Sequence, residues 1–141
     1  MLNGIPHLLP PDLVKRMMEM GHGDEIVLGD GNFPAHSLGV PVVRMDGHGV
    51  AAVLRAVLAL MPLDTYVDRP AALMQVVPGD DIVPAIWDDY RAILRERGLA
   101  FEPEQLERYA FYERARRACC VVATSEPRQY ANILLKKGIV K

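Results

Sequence analysis

Five side chains that can bind or move protons, His22, Asp24, Glu25, Asp30 and His36, stand close together in one stretch of this chain. They surround a short apolar run, Ile26-Val27-Leu28, of the kind found in strands buried on both faces. Gly21 and Gly23 admit backbone conformations closed to other residues, so His22 is expected in a sharp turn with its imidazole accessible. Asp30 falls just past the carboxyl end of the strand, where open α/β sheets hold their ligand sites. A strand here is expected to deliver both ends of the stretch to one site, with Asp30 available to bind hydroxyls or to hold His22 in a useful tautomer. Taken alone, the same residues also read as a helix-ending glycine turn followed by an ordinary solvated loop. The residue types by themselves favour that plainer reading.

The elements that must position these groups follow from hydrophobic spacing. Pro10 and Pro11 open a helix in which Leu13, Met17 and Met20 form the buried face, with Val14 and Met18 beside them, and Gly21 ends it. Residues 41–45 read as a strand, Val50 to Met61 as a helix halted by Pro62, and Ala71 to Val77 as a strand closed by the turn Pro78-Gly79-Asp80. Ile86, Tyr90, Ile93 and Leu94 mark another helix, stopped by Gly98. The segment around Pro103 carries no clear pattern. Tyr109 to Ala118 reads as a helix with a Glu113–Arg117 pair, Cys119 to Thr124 as a buried strand, and Ile133 to Leu135 as a last strand. This alternation predicts a three-layer αβα single domain over residues 1–141 with a largely parallel central sheet.

Composition narrows the function classes. A net charge of -2 over 141 residues supplies no basic face for nucleic acid, and the arginine clusters at 91–97 and 114–117 lie among carboxylates and read as solvated helix faces. No segment has the length and apolarity to cross a bilayer and no leader pattern is seen, so a cytoplasmic protein without membrane contact is expected. Cys119 and Cys120 are adjacent and open an apolar run, which fits reduced core residues. Neither the dinucleotide glycine fingerprint nor the phosphate-loop pattern occurs. The carboxylates and histidines around Ile26 lack the dense spacing of a zinc site, so no metal is expected.

The chain resembles the ribose pyranase and fucose mutarotase family of sugar anomerases along nearly its whole length. The resemblance is carried by Met20-Gly21-His22-Gly23-Asp24-Glu25-Ile26, Asp30 with Asn32-Phe33-Pro34-Ala35, Arg44 with Asp46-Gly47, Pro62-Leu63-Asp64-Thr65-Tyr66, Phe111-Tyr112-Glu113-Arg114-Ala115, and Tyr130-Ala131-Asn132 with Leu135-Lys136-Lys137-Gly138. Phe33-Pro34-Ala35 and Phe111-Tyr112-Glu113-Arg114 are similar to the fucose branch. Gly31 departs from the small residue expected after Asp30. The resemblance implies cofactor-free interconversion of the α and β anomers of a monosaccharide, L-fucose above all. It also implies a closed ring of subunits, typically a decamer, with sites completed by neighbours.

Mutarotation opens and recloses a hemiacetal. One group protonates the ring oxygen while another accepts the anomeric hydroxyl proton. The resemblance implies that His22 is the general acid/base, and imidazole is the side chain suited to exchanging protons near neutral pH. It places Asp30, Asp64, Tyr112, Tyr130 and Asn132 against the sugar, and Arg108 as well in some members. Carboxylates accept from hydroxyls, arginine donates in a fixed fork, and tyrosine or asparagine can do either. Tyr130 is the candidate second proton carrier, and it shares a face with Asn132 if that segment is extended. Tyr112 reads equally as a packed helix residue, and Phe33 as packing beneath the loop or stacking on the sugar. His36 and His48 are expected to matter less than His22. The rival readings are a D-ribose pyranase working through the same open-chain intermediate, a monosaccharide-binding or transport-associated module without catalysis, and an assembly protein with a vestigial site.

Overall fold

The computed structural model describes residues 1–141. Helix α1 (Pro11–Glu19) starts on the Pro10-Pro11 pair, where a missing amide hydrogen costs nothing, and leads into the turn that carries His22. Strand β1 (Glu25–Gly29) follows, then a 3₁₀ turn at Ala35–Leu38 and strand β2 (Val42–Met45). Helix α2 (Val50–Leu60), strand β3 (Ala71–Met74) and helix α3 (Ile86–Glu96) form the middle of the chain. Strand β4 (Glu104–Leu106), helix α4 (Arg108–Ala115), strand β5 (Cys120–Thr124) and strand β6 (Ile133–Lys136) complete it.

The six strands form one sheet in the order β2-β5-β1-β6-β3-β4. β1 and β2 each run parallel to β5, and β3 runs parallel to β4. β6 is antiparallel to both of its neighbours, so five strands point one way and one points back. Both faces are covered, because successive strand residues point to opposite sides. Ile26, Leu28, Cys120 and Val122 pack with α1, α2 and α3, whereas Val27, Val121 and Leu134 pack with α4 and the 3₁₀ turn. The expected three-layer α/β architecture is therefore present.

The register of β6 decides where functional groups meet. Glu25 lies opposite Lys136 and Leu28 opposite Ile133, so the amino end of β1 sits beside the carboxyl end of β6. Asp30 is thereby brought next to Asn132, and His22 next to the residues that follow Lys136.

Several local expectations are corrected. β3 ends at Met74, three residues earlier than expected, because Val76 and Val77 turn away to form the loop before Pro78. The segment after Pro103 is a three-residue edge strand. Met18 is 81% exposed, not beside the core, since it lies on the far side of α1 from Leu13 and Met17. Arg114 is not on a solvated face: it is 21% exposed and held between Glu25 and Glu104, the first residues of β1 and β4, at the same end of the sheet. Glu113 pairs with Arg116 instead of Arg117, because α4 ends at Ala115 and the four-residue spacing is lost. Cys119 and Cys120 are free thiols, and burial raises the pKa of both, to about 12 at Cys120. No helix is long and apolar enough to cross a membrane.

Candidate active site

At the carboxyl end of β1 a hollow of about 350 Å³ is lined by Asp30, Asp80, Arg108, Tyr112, Tyr130 and Asn132, with Phe33 forming part of its wall. That volume lies within the usual range for small-molecule sites, about 300–1,000 Å³. Asp30 is buried, and its position is set by backbone. Its amide donates to Asn132 Oδ1 at 2.7 Å, while its carboxylate accepts from the Asn32 amide at 3.0 Å and the Ala131 amide at 3.4 Å. Burial raises the pKa of Asp30, opposed by these amides.

Tyr130 is the only non-glycine residue with a positive φ, 57°. The segment is therefore not simply extended, although Tyr130 and Asn132 do reach the same hollow. α3 holds the backbone in place: Trp87 Nε1 donates to the Tyr130 carbonyl at 2.8 Å, and the Tyr90 hydroxyl donates to the Ala131 carbonyl at 2.5 Å. The Tyr130 hydroxyl donates to Asp80 Oδ2 at 2.7 Å and accepts from the Val77 amide at 3.3 Å. The bond to Asp80 raises the pKa of the phenol. On α4, Arg108 Nε donates to the Tyr112 hydroxyl at 3.3 Å, and its guanidinium lies 5.6 Å from the centre of that ring. Phe33 packs edge-on against Phe111, as expected of a ring beneath the loop, and also contributes to the wall of the hollow.

His22 is elsewhere. β1 alone spans roughly 13 Å at about 3.3 Å per residue, and His22 sits beyond its amino end. There His22 Nε2 lies 2.9 Å from Asp64 Oδ1, which also accepts the Tyr66 amide at 3.0 Å. The Tyr66 ring is 5.2 Å from the imidazole. The His22 side chain is 43% exposed, whereas that of Asp64 is 5% exposed. Asp64 is anchored through its amide to the Lys136 carbonyl, and Gly23 through its amide to the Lys137 carbonyl. The Tyr66 amide, then His22, lowers the pKa of Asp64. An ionised carboxylate only accepts, so Nε2 of neutral His22 carries the hydrogen and Nδ1 is left as the acceptor nitrogen.

These positions correct two expectations. The strand does not deliver its ends to one site, because an extended segment separates them across the sheet. Asp64, not Asp30, holds the imidazole. Within one copy the structure brings together Asp30, Arg108, Tyr112, Tyr130 and Asn132, and it brings His22 to Asp64, but it does not join the two groups. His36 sits at the surface beside Arg44 at 3.2 Å, and His48 lies in an exposed turn. No three His, Cys, Asp or Glu side chains converge in the manner of a metal site. Sequence reasoning missed Asp80, Trp87 and Tyr90. Pro78-Gly79-Asp80 reads as a turn, Tyr90 fits the apolar stripe of its helix and Trp87 belongs to no motif, so no local signal marks their bonds to residues 130 and 131.

An α/β domain with a polar, arginine- and tyrosine-lined hollow is suited to a small polyhydroxy ligand. The chain belongs to the RbsD / FucU transport protein family, whose model matches residues 3–140. It is 48% identical to the fucose mutarotase of Homo sapiens, over 99% of this chain and 94% of the human protein. Among solved structures it is similar to FucU from Bifidobacterium longum, with 52% identity and a TM-score of 0.95 over 99% of this chain and all of that one. It is equally similar in fold to the fucose mutarotase from Streptococcus pneumoniae in complex with L-fucose, with 48% identity, a TM-score of 0.95 and the same coverage.

Proposed function

We propose that this chain is a cofactor-free L-fucose mutarotase whose active site is shared between copies. The observation that carries this reading is the division of its polar groups: a sugar-sized hollow without an imidazole at one end of β1, and a half-exposed imidazole held by Asp64 at the other. Docking the His22–Asp64 end of one copy against the Asp30 hollow of the next supplies both halves. Exposed Met1, Leu2, Met18, Leu60 and Val140 give the chain an apolar surface that association would cover. Head-to-tail pairing of two unlike surfaces closes into a ring when the rotation permits. A ring-shaped homo-oligomer, decameric by family resemblance and working in the cytoplasm, fits this arrangement.

In this site Asp30 and Asn132 accept sugar hydroxyl protons, and Arg108 with Tyr112 binds a further hydroxyl on the opposite wall. Protonated His22, oriented by Asp64, gives its proton to the ring oxygen as the bond from that oxygen to the anomeric carbon breaks. The anomeric hydroxyl proton leaves at the same time toward the Tyr130 side, giving the open-chain aldehyde. Rotation about the bond next to the carbonyl exposes its other face, and the reverse transfers close the ring as the opposite anomer.

Saturation-transfer NMR tests this with L-fucose and D-ribose at anomeric equilibrium. Wild-type protein is expected to speed exchange of the fucose anomers, and His22→Ala to bind fucose while exchanging it no faster than buffer. Acceleration confined to ribose contradicts the substrate assignment. Binding without acceleration by the wild type contradicts catalysis.

A further inference from the structure

The Tyr130 hydroxyl is already engaged on two sides by one β-turn. Val77 and Asp80 are the ends of that turn, closed by the Asp80 amide donating to the Val77 carbonyl at 3.2 Å, with Gly79 at φ 91° making it possible. The Val77 amide donates to the Tyr130 oxygen, and the Tyr130 proton goes to Asp80. A phenol has a single proton to give. A sugar hydroxyl arriving in the hollow can therefore meet Tyr130 only as a donor.

This raises a chemical difficulty for Tyr130 as the second proton carrier. A neutral phenol oxygen is a poor base, and the bond to Asp80 makes a free phenolate still harder to form. We propose that Tyr130 and Asp80 act as a two-proton relay in which Tyr130 takes the anomeric proton while handing its own proton to Asp80. The proposal rests on the mutarotase reading above. As the sugar's anomeric O–H bond breaks, its proton forms a new O–H bond on the Tyr130 oxygen. The original Tyr130 O–H bond breaks in the same event, and that proton passes to Asp80 Oδ2. The electron pair left on the anomeric oxygen forms the carbonyl, the bond to the ring oxygen breaks, and the ring oxygen takes a proton from protonated His22. Ring closure returns every proton along the same path. No phenolate forms, and no other reactant is needed.

Asp30 does not fill this role, since the carboxylate that the Tyr130 hydroxyl bonds to is Asp80, while Asp30 is bound to the amides of Asn32 and Ala131. Asp80 is half-buried, and the hydroxyl bond is the one its carboxylate makes. The turn Pro78-Gly79-Asp80 thus has a purpose beyond reversing the chain: it presents an acceptor and a donor to one phenol oxygen.

The test is Asp80→Asn, whose amide oxygen still accepts the Tyr130 hydroxyl but cannot take its proton. Exchange NMR over a range of L-fucose concentrations separates kcat from KM. The relay predicts a fall in kcat of about 10²-fold or more, as expected for loss of an acid–base group, with KM changed less than about threefold. Tyr130→Phe is expected to lower kcat at least as far, and the double variant no further, because the two groups act as one unit. Asp81→Asn, altering the adjacent exposed carboxylate, is expected to exchange like wild type. A kcat for Asp80→Asn within threefold of wild type overturns the relay, as does an effect confined to KM. Independent, multiplying losses in the double variant overturn it too. A wild type that does not accelerate exchange overturns the mutarotase reading itself, whatever the variants do.

Discussion

Tyr90→Phe removes a single oxygen from the interior and should weaken both the fold and the site. The Tyr90 ring is fully buried, so phenylalanine fills the same space and opens no cavity. What is lost is the hydroxyl's bond to the Ala131 carbonyl, which no backbone amide of a neighbouring loop or strand replaces. Ala131 is itself fully buried, so its carbonyl is left without a partner. An unsatisfied buried polar group costs about 1–3 kcal/mol, and ~2 kcal/mol is the expected destabilisation. For a chain of this length that lowers the unfolding midpoint by roughly 6–8 °C. The assay is thermal and urea unfolding at one fixed protein concentration, because association shifts apparent stability. Tyr109→Phe, on an exposed ring, serves as the reference and should change stability by less than about 0.5 kcal/mol. Ala131 lies between Tyr130 and Asn132 and donates its amide to Asp30, so the KM for L-fucose should rise in Tyr90→Phe alone. Equal stability of the two variants would refute the reasoning, since the Ala131 carbonyl would then have another partner.

Asp30 carries a pH signature. Its carboxyl holds its proton in the fold to a higher pH than in the unfolded chain, so its stabilising contribution is lost as pH rises through the window just above the ordinary value of 3.8. The unfolding free energy of wild type minus that of Asp30→Asn is therefore expected to fall as pH rises through that window, and a rise would contradict the assignment; urea unfolding at a series of pH values measures it. Gly138→Ala should disturb the other end of β1, because a Cβ there would overlap the Leu63 carbonyl and crowd the Asp64 backbone. Displacing that segment loosens Asp64 from His22, and the expected result is exchange lowered at least tenfold in a folded protein, read by circular dichroism and exchange NMR together.

The layered fold was legible because strong periods and strong stops coincide. Leu13 and Met17 recur at helical spacing before Gly21, and Ile133-Leu134-Leu135 stands clear of its polar flanks. β4 was not legible, since Glu104-Gln105-Leu106 is a three-residue edge whose pairing depends on β3 alone. The reversed direction of β6 left no trace either, although it decides that Asp30 meets Asn132 and that Asp64 meets His22. His22 and Asp64 are 42 residues apart, and Tyr130 and Asp80 are 50 apart. Side-chain pairing across such separations is created by sheet order, which residue types do not specify. The candidate site residues rest on family resemblance; their division between two ends of a strand is visible only in three dimensions.

A mixing experiment tests the proposed shared site most directly. His22→Ala keeps the hollow and loses the imidazole, whereas Asp30→Asn keeps the imidazole and impairs the hollow. Each variant alone should exchange L-fucose anomers at close to the buffer rate. Dissociated and reassembled together in equal amounts, they should recover about one quarter of wild-type exchange, because random neighbours unite two intact halves at about one site in four. Exchange that stays at the level of the separate variants would contradict a site built from two copies.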